Sequence, residues 1–130
     1  MNGLALAFLG DAYYELFVRK YLISEGITKI HELHQQKVKY TSSVAQTKII
    51  TYFLSENILN AEEITYFKKG RNSAHFGRKN VDVLTYQMAT GFESLIGYLM
   101  HNDTNRCEYL MQLGIEFIKL GEKDGKRTTK

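Results

Sequence analysis

The sequence predicts an all-α fold in a single domain, and three observations carry that prediction. Proline is absent from the 130 residues and glycine occurs only ten times, so long stretches can run as helix without a ring clash or a lost N–H. Hydrophobic residues make up 44% of the chain, enough to bury a core at this length. Strand signals are weak, because no hairpin dipeptide stands between two alternating apolar runs.

The elements follow in order. Residues 3–24 read as a broad apolar helix that ends near Glu25-Gly26, with glycine suited to the position after a helix. Thr28 can cap a short second helix through about Gln36. Ser43-Val-Ala-Gln46 has capping-box spacing ahead of Ile49, Ile50, Phe53 and Leu54. Asn60-Ala-Glu-Glu63 repeats that signal and opens a helix toward Lys69. GRNSAHFGRKN, residues 70–80, reads as a loop, and Asp82 places negative charge at the start of a long helix over 82–101. A break at His101-Asn-Asp-Thr leads to a last helix over about 105–119, with Gly121 expected to stop it. The domain is therefore expected over residues 1–118, with 119–130 as a basic, disordered tail.

Composition narrows the setting. The single Cys107 leaves no internal disulfide framework and points to a reducing compartment. No secretory leader pattern and no run of about 18 apolar residues is present, so the expectation is a cytoplasmic chain with no membrane partner. The main motif begins within a few residues of Met1, which leaves open a preceding native segment. Net charge is +3, and the tail KLGEKDGKRTTK carries five Lys/Arg against two acids. Removing these from totals of 17 and 14 leaves twelve of each sign in residues 1–118. Any nucleic-acid face must then be local. Two acid-free stretches qualify. Leu33 to Ser55 carries Lys37, Lys39 and Lys48, and Ile64 to Val81 carries Lys68, Lys69, Arg71, Arg78 and Lys79. Such runs are equally often a solvated helix face.

Two carboxylates do not fit the apolar pattern around them. Asp11 lies in FLGDAYYEL and Glu93 in ATGFESLIGYLM. A carboxylate on so apolar a helix must be paired, bound to metal or at an exposed edge. Gly10 and Ala12 flank Asp11, and Gly91 and Ser94 lie near Glu93, so two helices could approach closely and present both acids to one point. That suits a hard cation such as Mg²⁺, which takes one or two carboxylates and keeps several waters. The residues alone leave other partners open, Arg19 for Asp11 and a tyrosine hydroxyl for Glu93. Glu15 follows Asp11 by one turn and shares its face, with Arg19 one turn further. His31 and His34 share a helix face without a third ligand nearby, and read as surface or RNA-facing rather than a zinc site. Cys107 reads as a small apolar filler.

NGLALAFLGDA (2–12), KGRNS (69–73), KNVDVLTYQ (79–87) and TGFESLIGYL (90–99), in that order, resemble the ribonuclease III catalytic domain. The similarity is to its short Mini-ribonuclease III group, which lacks a double-stranded-RNA-binding domain. The resemblance spans nearly all of residues 2–118. It implies an all-helical homodimer that hydrolyses double-stranded RNA with Mg²⁺, for which Mn²⁺ can substitute. Asp11 and Glu93 then hold the positions of the catalytic, metal-binding carboxylates. Larger family members carry two further acids where this chain has Ala7 and Thr90, which puts the number of ions in doubt. Glu15 matches no acid required across the family and is left as a residue that either supports the ligands from outside or faces the substrate.

The two acid-free stretches suit RNA binding, the first through Gln36, Lys37, Lys39, Ser43 and Gln46, the second through Arg71, Asn72, Ser73, Arg78, Lys79 and Asn80, and the resemblance strengthens the second. Duplex RNA is read mainly through phosphates and 2′-hydroxyls, which such groups contact. The implied substrate is the precursor of large-subunit (23S) ribosomal RNA, in ribosome biogenesis, with ribosomal proteins as accessory partners. Two rivals stand beside this. A non-catalytic RNA-binding module of the same fold would lack the acid pair. A helical protein-interaction domain would need no cluster of Lys, Arg and Asn at 70–80.

Overall fold

The computed structural model describes residues 1–74 and 82–128, with side chains through Glu122. Six helices follow in order: α1 (Gly3–Ser24), α2 (Ile30–Thr41), α3 (Ser43–Ser55), α4 (Ala61–Ser73), α5 (Val83–Asn102) and α6 (Thr104–Thr128). No strand occurs among the described residues. The all-α expectation therefore holds.

Helix α5 is the centre of the molecule. Ala89, Phe92, Leu95, Ile96 and Leu99 are buried along it, and α1, α3, α4 and α6 pack around it. Tyr14 of α1 meets Phe92 edge-on at 5.0 Å between ring centroids, a favoured aromatic geometry. The Tyr14 hydroxyl donates to the Tyr40 carbonyl at 2.8 Å and so ties α2 to α1. Ile49, Ile50 and Phe53 of α3 and Leu110, Met111 and Ile115 of α6 complete the core. Cys107 is fully buried there, its thiol donating to the Ile96 carbonyl, and burial pushes its pKa up to about 12. It is the inert filler the sequence suggested.

The helix starts are partly as expected. Asn60 and Glu63 form a complete capping box at α4, and the Asp82 side chain caps α5 by accepting from the Thr85 N–H. At α3 the cap is Ser42, which accepts from Ala45 N–H, not Ser43. This frees Gln46 from a capping box and turns it inward. Helix α2 begins at Ile30 without a side-chain cap and runs to Thr41, beyond the expected end at Gln36.

Two helix ends differ from expectation for tertiary reasons. Helix α4 does not stop before Gly70 but continues to Ser73. Gly70 is there because α5 leaves no room for more: a Cβ at this position would meet Ser94 and the Thr90 carbonyl. Helix α6 does not stop at Gly121 and stays helical through Thr128, so the backbone to that point is not a disordered tail. An interior glycine costs a helix only about 1 kcal/mol relative to alanine. Two ion pairs hold this stretch to the body, Lys119 with Glu25 at 3.0 Å and Lys39 with Glu122 at 3.4 Å.

Candidate active site

The crossing of α1 on α5 is made by glycine. A Cβ on Gly10 would fall on the Glu93 carbonyl oxygen, and one on Gly97 would fall on the Leu6 carbonyl oxygen. Only residues without side chains permit this approach. Asp11 follows Gly10 directly, so the contact carries its carboxyl to Glu93. Of the small neighbours noted in the sequence, Gly10 makes this approach, whereas Gly91 packs on Phe67 and Ser94 on Gly70 of α4; the α5 partner of Gly10 is Gly97.

Asp11 is exposed and Glu93 is half-buried. Burial raises the Glu93 carboxyl to about 8, and the neighbouring Asp11 charge adds to the rise. Asp11 and the carboxamide of Gln46 both come within hydrogen-bonding reach of it. The Asp11 charge thus opposes ionisation of Glu93. A divalent cation between them would remove that opposition. Among the described residues, no three of His, Cys, Asp and Glu gather around one point. The donor set is two carboxylates and neutral oxygen, which fits a hard cation that retains waters and does not fit zinc. Ala7 and Thr90 add nothing to it. Both are buried, and the Thr90 hydroxyl donates to the Tyr86 carbonyl of its own helix.

Glu15 is engaged with bases of its own. Its carboxylate accepts from Arg19 at 3.1 Å and from Lys37 at 3.2 Å. Arg19 therefore belongs to Glu15 and not to Asp11. Glu15 fastens α2 to α1, and the Lys37 side chain, 18% exposed, is held in that pair.

The residues expected to meet RNA separate into groups. Ser43 and Asn72 are exposed, and Arg71 and Ser73 are half-buried on the last turn of α4 rather than in a loop. The Arg71 guanidinium lies over the Phe67 ring and donates to the Asn72 side chain. Gln46 is 2% exposed and offers nothing to a duplex on the surface. Its position could have been read from spacing, since it precedes Ile49 and Ile50 by three and four residues, on the buried stripe of α3. Gln36 is half-buried, and His31, His34 and Lys48 are exposed. Arg78, Lys79 and Asn80 lie outside the described residues.

A second acid was missed in its tertiary role. Glu63, 2% exposed, receives Arg106 of α6 through two bonds, Nε at 2.8 Å and an Nη at 3.0 Å. Arg106 also donates to the Ile58 carbonyl at 2.7 Å. Burial works to raise the Glu63 carboxyl, but the Arg106 bonds and charge and the Asn60 N–H outweigh it and hold it below the usual value.

Comparison with known proteins gives a consistent set of relatives. The Ribonuclease III domain family matches residues 4–103. The chain is 58% identical over 125 residues to Mini-ribonuclease 3 of Acholeplasma laidlawii, covering 96% of this chain and 100% of that protein. It is 44% identical over 121 residues to Mini-ribonuclease 3 of Streptococcus pneumoniae, covering 92% and 94%. A crystal structure of a Fusobacterium nucleatum protein superposes with a TM-score of 0.77 at 29% identity, covering 89% of this chain and 93% of that one.

Proposed function

This chain belongs to the ribonuclease III family and is an endoribonuclease, and we propose that it cuts double-stranded RNA by metal-assisted hydrolysis at Asp11 and Glu93. The observation that carries the site is the glycine crossing, which brings these two carboxyls together. Mg²⁺ is the proposed cation, with Mn²⁺ able to replace it. Bound there, a divalent cation supplies Lewis-acid polarisation of a phosphodiester and a lowered pKa for the attacking water. The chain's own part is to hold the ion and exclude competing bases. Asp11 would hold the ion from the exposed side and Glu93, once deprotonated, from the half-buried side. Neither need act as a general base.

The surface near the site suits a duplex read by shape. Arg71, Asn72 and Ser73 end α4, and Ser43 starts α3; Arg78, Lys79 and Asn80 extend the same basic stretch in sequence. Lys37, in its pair with Glu15, contributes by position more than as a free charge. The biological substrate we propose is the 23S ribosomal RNA precursor, in the cytoplasm, with ribosomal proteins assisting. A homodimer has support in α1 itself. Phe8 is 81% exposed, Leu16 52% and Leu4 45%, and with the exposed Ala12 they form one stripe at four-residue spacing. So much apolar surface beside a site marks an interaction face. A twofold pairing there would set two copies of Asp11 and Glu93 along one duplex, one for each strand.

The test is cleavage of a long RNA duplex and of its separated strands, with Mg²⁺ and with excess chelator. The expected result is cutting of the duplex alone, only with the ion, and almost none by Asp11→Asn even though that variant still binds the duplex. Undiminished cutting by Asp11→Asn or in chelator would reject the reading.

A further inference from the structure

We infer that Gln46 is a positioning residue of the metal site, its amide oxygen serving as the acceptor that orders water around a cation held by Asp11 and Glu93. The inference rests on the proposed site. Three observations lead to it. Gln46 is 2% exposed in the first turn of α3, on the same buried stripe as Ile49, Ile50 and Phe53. Its Nε2 donates to the Thr41 carbonyl at 3.1 Å, which fixes the carboxamide plane. Its Oε1 is buried with no hydrogen-bond partner among the described residues, and the carboxamide lies beside the Glu93 carboxyl.

A buried orphan acceptor costs on the order of 1–3 kcal/mol. Nε2 serves the Thr41 carbonyl, and the amide's hydrogen bond toward Glu93 favours the ionised carboxylate. The oxygen of the same amide is left as an acceptor that needs a donor. A water in the shell of a divalent cation is such a donor, since Mg²⁺ keeps several waters. Partners of this kind outside the ligand set commonly affect metal affinity by about 10–100-fold. Gln46 would thus take over part of the work of the acids that Ala7 and Thr90 do not supply.

The experiment titrates metal-free protein with Mn²⁺ and follows the free ion by electron paramagnetic resonance, beside the metal-free melting temperature. Gln46→Met keeps the volume and removes the oxygen. Mn²⁺ affinity is expected to fall about 10-fold or more, with melting within a few degrees of the parent. Gln46→Glu keeps an oxygen in place, and its Mn²⁺ affinity should equal or exceed that of the parent. Unchanged affinity in Gln46→Met would overturn the inference. If Gln46→Met does not fold, a folded Gln46→Glu that has lost Mn²⁺ binding would overturn it equally. Failure of the site itself reads differently: the parent would not bind Mn²⁺, or Asp11→Asn would bind it as well as the parent.

Discussion

Glu63 and Glu93 are the same residue type, each set against buried helix surface, and their surroundings drive them in opposite directions. Glu63 has every need met by the protein: the Asn60 N–H and two bonds from Arg106. Its carboxyl is held below the usual value. Glu93 has a second acid for a neighbour, an amide whose oxygen has no partner among the described residues, and a carboxyl raised to about 8. The first is saturated and contributes to stability. The second is left incomplete, which costs stability and favours a cation. The opposite shifts separate an acid whose charge the protein serves from one whose charge it does not.

Breaking the saturated pair should have the largest effect on stability. Glu63→Ala leaves Arg106 without its carboxylate, and removal of one partner of a buried pair costs about 3–5 kcal/mol. The low end is expected, because the Arg106 side chain is 28% exposed. Urea unfolding should show it, while cleavage per folded molecule stays near that of the parent. Next is the crossing that assembles the other acid. Gly10→Ala must push α1 off the Glu93 carbonyl, and overpacking of this kind costs about 1–3 kcal/mol. Here cleavage should fall along with stability, because Asp11 moves with Gly10.

The two glutamates should also give opposite pH slopes. Folded Glu93 keeps its proton up to about 8, whereas an ordinary glutamate loses it near 4.5. The folded state then binds more protons than the unfolded one across that interval, so metal-free stability falls as pH rises from about 4.5 to about 8. Glu63 has the reverse sign, and its contribution disappears as pH drops below 4.5. Cation binding must displace the Glu93 proton, so Mg²⁺ affinity should climb with pH to about 8 and then level. Melting curves with and without Mg²⁺ across this range check both slopes, and Glu93→Gln should flatten the upper one. The smallest effect is at the surface. Arg71→Ala should weaken duplex binding modestly and reduce the slope of log affinity against log salt by about one, with the fold intact.

What could be read from sequence was what acts locally. The Asn60–Glu63 box and the Asp82 cap are contacts within one turn, and their residue types announce them. Asp11 and Glu93 were legible because carboxylates stand out on apolar helices, and Gly10 was the sign of close approach. What stayed hidden depends on distant partners. Arg106 lies 43 residues from Glu63, and nothing in its own helix marks it for that role. Gly70 looked like a helix stop because its reason, the surface of α5, is tertiary. Gln46 has the residue type of a surface contact and the spacing of a core position, and the core position is the one it holds.

The most direct test of the contrast is the rate at which Glu93→Gln cuts a long RNA duplex in Mg²⁺. The variant keeps the size of the side chain, removes the buried titration and should melt no lower than the parent without metal. Near-total loss of cutting by a protein that stable is the predicted result. Cutting at the parental rate would contradict the assignment of Glu93 to the metal and leave it, like Glu63, a structural acid.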